Sequence, residues 1–220
     1  MPKYKILILL LAVAFLGAAC SKESEEKFVF NQYNNEEKKV VANSNTTPSP
    51  SSVEAGSTVT LQTSLGDIKL EFYSQDAPKA VDNFLKLAGK GFYDGVTFHR
   101  VIPGFMIQGG DPLSKDADPS NDGTGGPGYM FEDELNPATQ SYKTGYKKGV
   151  LAMANAGVNT NGSQFFIMLA DYALAHDYTI FGRVTAGQDI VDKIGLVKTT
   201  GNPTDRPLEK VLIKKVAISN

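Results

Sequence analysis

Polar and apolar residues alternate from Thr58 to Gln62 and again from Asp67 to Phe72, with Ser64-Leu65-Gly66 between the two runs. A period of two marks half-buried strands, and a short Gly-containing connection makes the pair a hairpin. The period then changes. Asp76-Ala77-Pro78 reads as a helix start with Asp76 as N-cap, and Val81, Phe84, Leu85 and Ala88 share one helical face before Gly89 and Gly91 end it. Short strand patterns follow at 96–102, 105–108, 150–154, 164–169, 179–184 and 211–218, with a second amphipathic helix over 188–197. A long Gly-, Pro- and Asp-rich excursion runs from Gly109 to Lys148. Many short strands with two helices predict a mainly β domain: a closed antiparallel barrel, in which closure removes the edges, or a sandwich with peripheral helices.

The first 57 residues follow other rules. Lys3 and Lys5 precede an unbroken apolar run from Ile6 to Gly17, and Ala18-Ala19-Cys20 follows. A basic start, an apolar stretch of ~7–15 residues and small residues at a cleavage point make a signal peptide over 1–19, too short for a membrane span of ~20 residues. Residues 20–57 are rich in Ser, Asn, Glu, Thr and Pro, with Phe28-Val29-Phe30 the one apolar island. Such a composition buries too little to offset chain entropy and reads as a tether. The folded domain is therefore expected over 58–220, which holds 19 of the 21 glycines. Cys20, the sole cysteine, excludes an internal disulfide. The leader resembles a bacterial lipoprotein signal with Cys20 as the lipidated residue, although Gly17 stands where Leu is typical. That resemblance implies a bacterial extracytoplasmic protein anchored to a membrane by its lipid; secretion with cleavage near Ala19 is the alternative.

Charge narrows the partners. The chain has 22 basic and 24 acidic side chains, and loss of residues 1–19 removes two lysines, leaving a net −4. That balance argues against nucleic acid, which favours a basic face. Two His and one Cys supply too few soft ligands for structural zinc. Asp116, Asp118 and Asp122 lack the glutamate that a calcium loop needs at its twelfth position and read as a solvated acidic loop. Glu132-Asp133-Glu134 reads as surface, His99 as structural and His176 as a loop histidine. No metal or cofactor is expected.

Within the strand pattern, Arg100 interrupts an apolar run and by alternation shares a face with Phe98. Gln108 lies on the next strand, where its amide can orient the guanidinium. Phe105, Met106, Phe166 and Leu174 supply an apolar, partly polarizable lining. An apolar hollow with one cation and one amide suits an uncharged peptide segment.

The run Phe98-His99-Arg100-Val101-Ile102-Pro103-Gly104-Phe105-Met106-Ile107-Gln108-Gly109-Gly110-Asp111 resembles the signature of the cyclophilins, the cyclosporin-binding class of peptidyl-prolyl isomerases. Gly123-Thr124-Gly125-Gly126, Leu151–Gly157, Asn159–Ile167 and Thr179–Val184 agree in the same order. The resemblance covers nearly all of 58–220. It implies a closed eight-stranded antiparallel β-barrel capped by two α-helices, acting as a monomer on proline-containing peptides and unfolded secreted proteins. It further implies that Arg100 donates a hydrogen bond toward the prolyl nitrogen as the amide twists, with Gln108 and the backbone of Asn155 as its catalytic companions. Phe105, Met106, Ala154, Gln164, Phe166, Leu174 and Tyr178 fall in the substrate-binding set. Ala173, with Tyr172 beside it, stands where eukaryotic members carry a rim Trp, so weakened cyclosporin binding is expected. Tyr178 stands where those members have His, and 115–121 is an insertion. The other function class is a proline-peptide-binding chaperone module in which isomerisation is incidental.

Overall fold

The computed structural model describes residues 58–219; the segments read as signal peptide (1–19) and tether (20–57), with Cys20, lie outside them. Strand β1 (Thr58–Thr63) and β2 (Asp67–Phe72) form the expected hairpin. Val59 stands opposite Leu70 and Leu61 opposite Ile68, and all four are fully buried. Helix α1 (Pro78–Gly89) turns Val81, Phe84, Leu85 and Ala88 inward. Its Phe84 ring meets Tyr93 at 4.9 Å, Phe165 at 5.5 Å and Phe181 at 5.7 Å. Strands β3 (Arg100–Ile102), β4 (Met106–Gly109), β5 (Val150–Met153), β6 (Phe165–Met168), β7 (Ile180–Ala186) and β8 (Ile213–Ser219) complete one antiparallel sheet in the order β3-β4-β6-β5-β7-β2-β1-β8. Helix α2 (Gln140–Thr144) is short, and α3 (Gln188–Gly195) matches the second amphipathic pattern. A Cβ at Gly187, where α3 begins, would fall 2.2 Å from the Asp67 carbonyl oxygen, and φ is +82°; only glycine fits there.

Three expectations require correction. The sheet curls into a half-barrel rather than a closed one: β3 and β8 are its two edges and do not pair. Beside the seam, Thr97 and Leu212 form an isolated bridge, and Val101 N–H donates to the Asp205 carbonyl at 2.8 Å. A three-residue β3 is too short to carry a further ladder. The pattern at 96–102 also breaks before Arg100, so Phe98 and Arg100 do not share a face. Phe98 joins Val101 in the main core, while Arg100 is half-exposed. Finally, Asp76 does not cap α1. Its carboxylate accepts from Ser141 N–H at 2.8 Å, whereas Glu134 accepts from the N–H groups of Lys79 and Ala80 at 3.0 and 2.9 Å. Glu134 thus meets unpaired donors at the helix start from across the fold.

Candidate active site

The register of four ladders builds the site. Arg100 stands opposite Gln108, Gln108 opposite Phe166, Phe166 opposite Ala152, and Ala152 opposite Ile180. Residues directly opposite in antiparallel strands project from the same face. One row of side chains therefore crosses β3, β4, β6, β5 and β7. Two residues along, Ile102, Met106 and Met168 form a second row. The intervening Val101, Ile107, Ile167 and Leu151 point the other way, into the main core. The apolar members of the two rows belong to a separate cluster with Tyr146 and Val150, rimmed by Phe105, Ala154, Leu174 and Tyr178. Its floor is tight: Met106 and Phe166 are 2% and 5% exposed. On the part of this second face formed by β3, β4, β6 and β5 the polar corner is Arg100 and Gln108; farther across, over β7 and β2, the same face carries the Arg183–Glu71 ion pair.

Gln108 does not orient the arginine as expected. Among the described residues no hydrogen bond joins them. The Gln108 Nε2 donates to Gln164 Oε1 at 3.0 Å, and Gln164 Nε2 donates to the carbonyls of Gly123 and Gly125, both at 2.9 Å. That loop is held from beneath by Asp111, which is fully buried and accepts from Leu113 N–H at 2.8 Å, Gly125 N–H at 3.2 Å and Gly123 N–H. The order is Asp111, loop, Gln164, Gln108: a chain of amides fixed from the interior outward. The group beside Arg100 is instead Asp205, whose Oδ2 lies 4.0 Å from the arginine Nε. No signal in the sequence links them; they are far apart in the chain and Asp205 sits in a polar Thr204-Asp205-Arg206 turn.

Asn155 lies two residues beyond the end of β5. Its Nδ2 donates to the Asp177 carbonyl at 2.8 Å and its Oδ1 accepts from Gly157 N–H at 3.2 Å. The preceding Ala154 N–H is taken by the Gln164 carbonyl at 2.9 Å. Among the described residues, the Asn155 backbone N–H and C=O make no hydrogen bond.

The 170–178 loop closes the rim, and sequence reasoning missed what holds it. Tyr146 OH donates to the Tyr178 carbonyl at 2.9 Å and accepts from Tyr178 N–H at 3.1 Å, while Tyr172 N–H donates to the Tyr146 carbonyl at 3.0 Å. Burial pushes the Tyr146 hydroxyl up to about 12, so it stays a donor at any ordinary pH. Tyr178 meets Phe166 edge-on at 5.5 Å. Tyr172 lies 4.6 Å from the Phe105 ring, so aromatic surface covers part of the rim beside the exposed Ala173. His176 stacks on Tyr142 at 3.9 Å.

Several acidic residues find structural work. Asp133 accepts from Asn159 N–H at 2.7 Å and from Asn161 Nδ2 at 2.7 Å, tying the 131–134 segment to the loop after Asn155. Glu132-Asp133-Glu134, read as surface rather than ligand, lies at the surface with Glu132 exposed, while Asp133 and Glu134 are half-buried and bond to neighbouring segments. In the 115–121 insertion, Asp116 accepts from Asp118 N–H and Asp118 from Ser120 N–H, at 2.7 and 2.9 Å. Such short-range bonds shape an acidic turn.

Comparison with known proteins agrees with this geometry. The family model described as cyclophilin type peptidyl-prolyl cis-trans isomerase/CLD matches residues 58–218. The chain is 50% identical over 155 residues to peptidyl-prolyl cis-trans isomerase-like 1 of Rhizopus delemar, covering 70% of this chain and 89% of that protein. It is 46% identical over 181 residues to peptidyl-prolyl cis-trans isomerase B of Streptomyces anulatus, covering 72% and 94%. Among solved structures, it resembles a Cryptosporidium parvum cyclophilin-type isomerase crystallised in the presence of the dipeptide Ala-Pro. The TM-score is 0.64 at 35% identity, over 74% of this chain and 99% of that one.

Proposed function

The chain belongs to the cyclophilin-type peptidyl-prolyl cis-trans isomerases and is an isomerase; from that premise we propose that Arg100 drives the reaction by bonding to the twisted amide. Rotation about an amide is opposed by resonance, with a barrier of ~18–20 kcal/mol. As the bond twists, the prolyl nitrogen pyramidalises and its lone pair leaves the π system. A guanidinium N–H can then donate to that lone pair, which is unavailable in the planar ground state. An interaction stronger in the twisted state than in the ground state accelerates the reaction. A charge-assisted hydrogen bond of ~1.5–3 kcal/mol supplies a factor of roughly 10–150. The remainder comes from the apolar face that grips the ring at Phe105, Met106, Phe166 and Leu174, and from the Asn155 backbone holding the preceding carbonyl.

The observation that carries this reading is the row Arg100, Gln108, Phe166, Ala152, with a cation at one end of a dry apolar surface. Gln108, Gln164, Ala154 and Tyr178 shape the groove around it. The test is protease-coupled isomerisation of an Ala-Pro peptide. Arg100→Ala should lower kcat/KM by roughly 10–150-fold with little change in peptide affinity. Equal losses in both would remove the role assigned to Arg100.

With Cys20 lipidated behind the 1–19 leader, the isomerase acts outside the cytoplasm on unfolded secreted proteins, tethered by residues 20–57. Support comes from Lys3, Lys5, the apolar run and Ala18-Ala19-Cys20. One acyl chain binds a membrane only marginally, so stable anchoring needs a multiply acylated cysteine. Cys20→Ala should abolish lipid labelling and release the protein into the soluble fraction. Unchanged membrane fractionation of that variant would contradict the anchor.

A further inference from the structure

We propose that Asp205 is a positioning residue for Arg100; this rests on the reading of Arg100 as the catalytic cation. Arg100 opens β3, a three-residue edge strand. An edge strand that short leaves its long side chain poorly fixed unless something beyond the sheet holds it. The Asp205 turn does so at two points. Its carbonyl accepts the Val101 N–H at 2.8 Å, which fixes the turn against the strand one residue from Arg100. Its carboxylate stands 4.0 Å from the Arg100 Nε.

The turn is built for this. Asp205 has φ +50°, in the left-handed region that few residues other than glycine adopt, and its own N–H closes on the Gly201 carbonyl at 2.9 Å. Its side chain is only 15% exposed. A carboxylate so covered needs a partner. Among the described residues its carboxylate oxygens accept no hydrogen bond, and Arg100 is the only cation within ion-pair distance. The geometry also divides the guanidinium. The carboxylate faces the Nε edge, while the terminal nitrogens have no hydrogen-bond partner among the described residues. On this proposal the carboxylate biases the guanidinium by its Nε edge, and the terminal edge is left for the peptide.

The test is a double-mutant cycle on the full chain, read as kcat and KM for an Ala-Pro peptide. Asp205→Asn keeps the shape and the tolerance for positive φ. It should lower kcat by roughly fivefold, the change that about 1 kcal/mol of ion pairing gives, with KM little moved. Asp205→Gly adopts the same backbone freely and should show the same loss, which guards against a folding effect of the amide. In an Arg100→Ala background neither substitution should lower kcat further. A loss that persists there, or full activity in both Asp205 variants, would overturn the positioning role while leaving Arg100 catalytic. Full activity in Arg100→Ala would overturn both.

Discussion

His99 adjoins Arg100 in the chain but serves another purpose. It is 6% exposed, and neither ring nitrogen has a hydrogen-bond partner among the described residues. Burial holds its pKa down to about 4, against an opposing pull from Asp111; the Arg100 charge adds to the depression. A neutral imidazole is thus built into the fold. The unfolded chain takes up this proton near pH 6.5 and the folded one near 4, so stability is full above about 6.5 and falls as pH drops toward 4. Urea unfolding should show a loss of about 2 kcal/mol between pH 7 and 5, and His99→Gln should flatten most of that slope. An equal slope in the variant would place the titration elsewhere. At this scale the sequence was readable in identity and not in direction. Arg100, Phe105, Met106, Gln108 and Phe166 could be picked out by type and motif, and they meet on one face. The phase of the strand could not: two residues outside the ladder, Phe98 and His99, separate the core face from the Arg100 face. Asp205 and Tyr146 carried no local signal, since each acts on a residue distant in the chain.

At the scale of elements, periodicity located β1, β2, α1 and α3, because each buries one face against the core. The connections were less legible. Asp76-Ala77-Pro78 marks where α1 begins but not what caps it, since Asp76 is drawn to Ser141 and Glu134 arrives from another segment. The rim loop over 170–178 depends likewise on Tyr146, whose hydroxyl satisfies both backbone groups of Tyr178. Tyr146→Phe keeps the ring and removes both bonds. It should destabilise the protein by about 1–3 kcal/mol, the cost of leaving partly buried polar groups unpaired. It should also raise KM for peptide more than it lowers kcat if, as proposed, the rim binds and Arg100 performs the chemistry. Hydrogen exchange at the Tyr178 amide reads the local effect; unchanged protection there would show that the hydroxyl is not what holds the loop.

Across the whole domain, the strand count was legible and the closure was not. Eight short strand patterns could be read from alternation, but whether the two sheet edges, β3 and β8, meet depends on the length of β3 and on the turn that lies against it. The half-barrel has a consequence for activity. The main core, with Phe84, Phe98, Phe165 and Phe181, lies on one side of the sheet, and the smaller cluster under the site lies on the other. The first holds most of the buried apolar side chains. The second can therefore expose Phe105, Leu174 and Tyr178 to a peptide without opening the core. Catalysis in this account is a property of the Arg100 corner of that second face, acting on a proline already gripped. Exchange spectroscopy by NMR on a saturating Ala-Pro peptide tests this most directly, because it measures cis-trans interconversion of the bound peptide apart from its affinity. Arg100→Ala should slow the on-enzyme rate by roughly 10–150-fold at nearly unchanged Kd. An unchanged on-enzyme rate, with any loss confined to Kd, would contradict it.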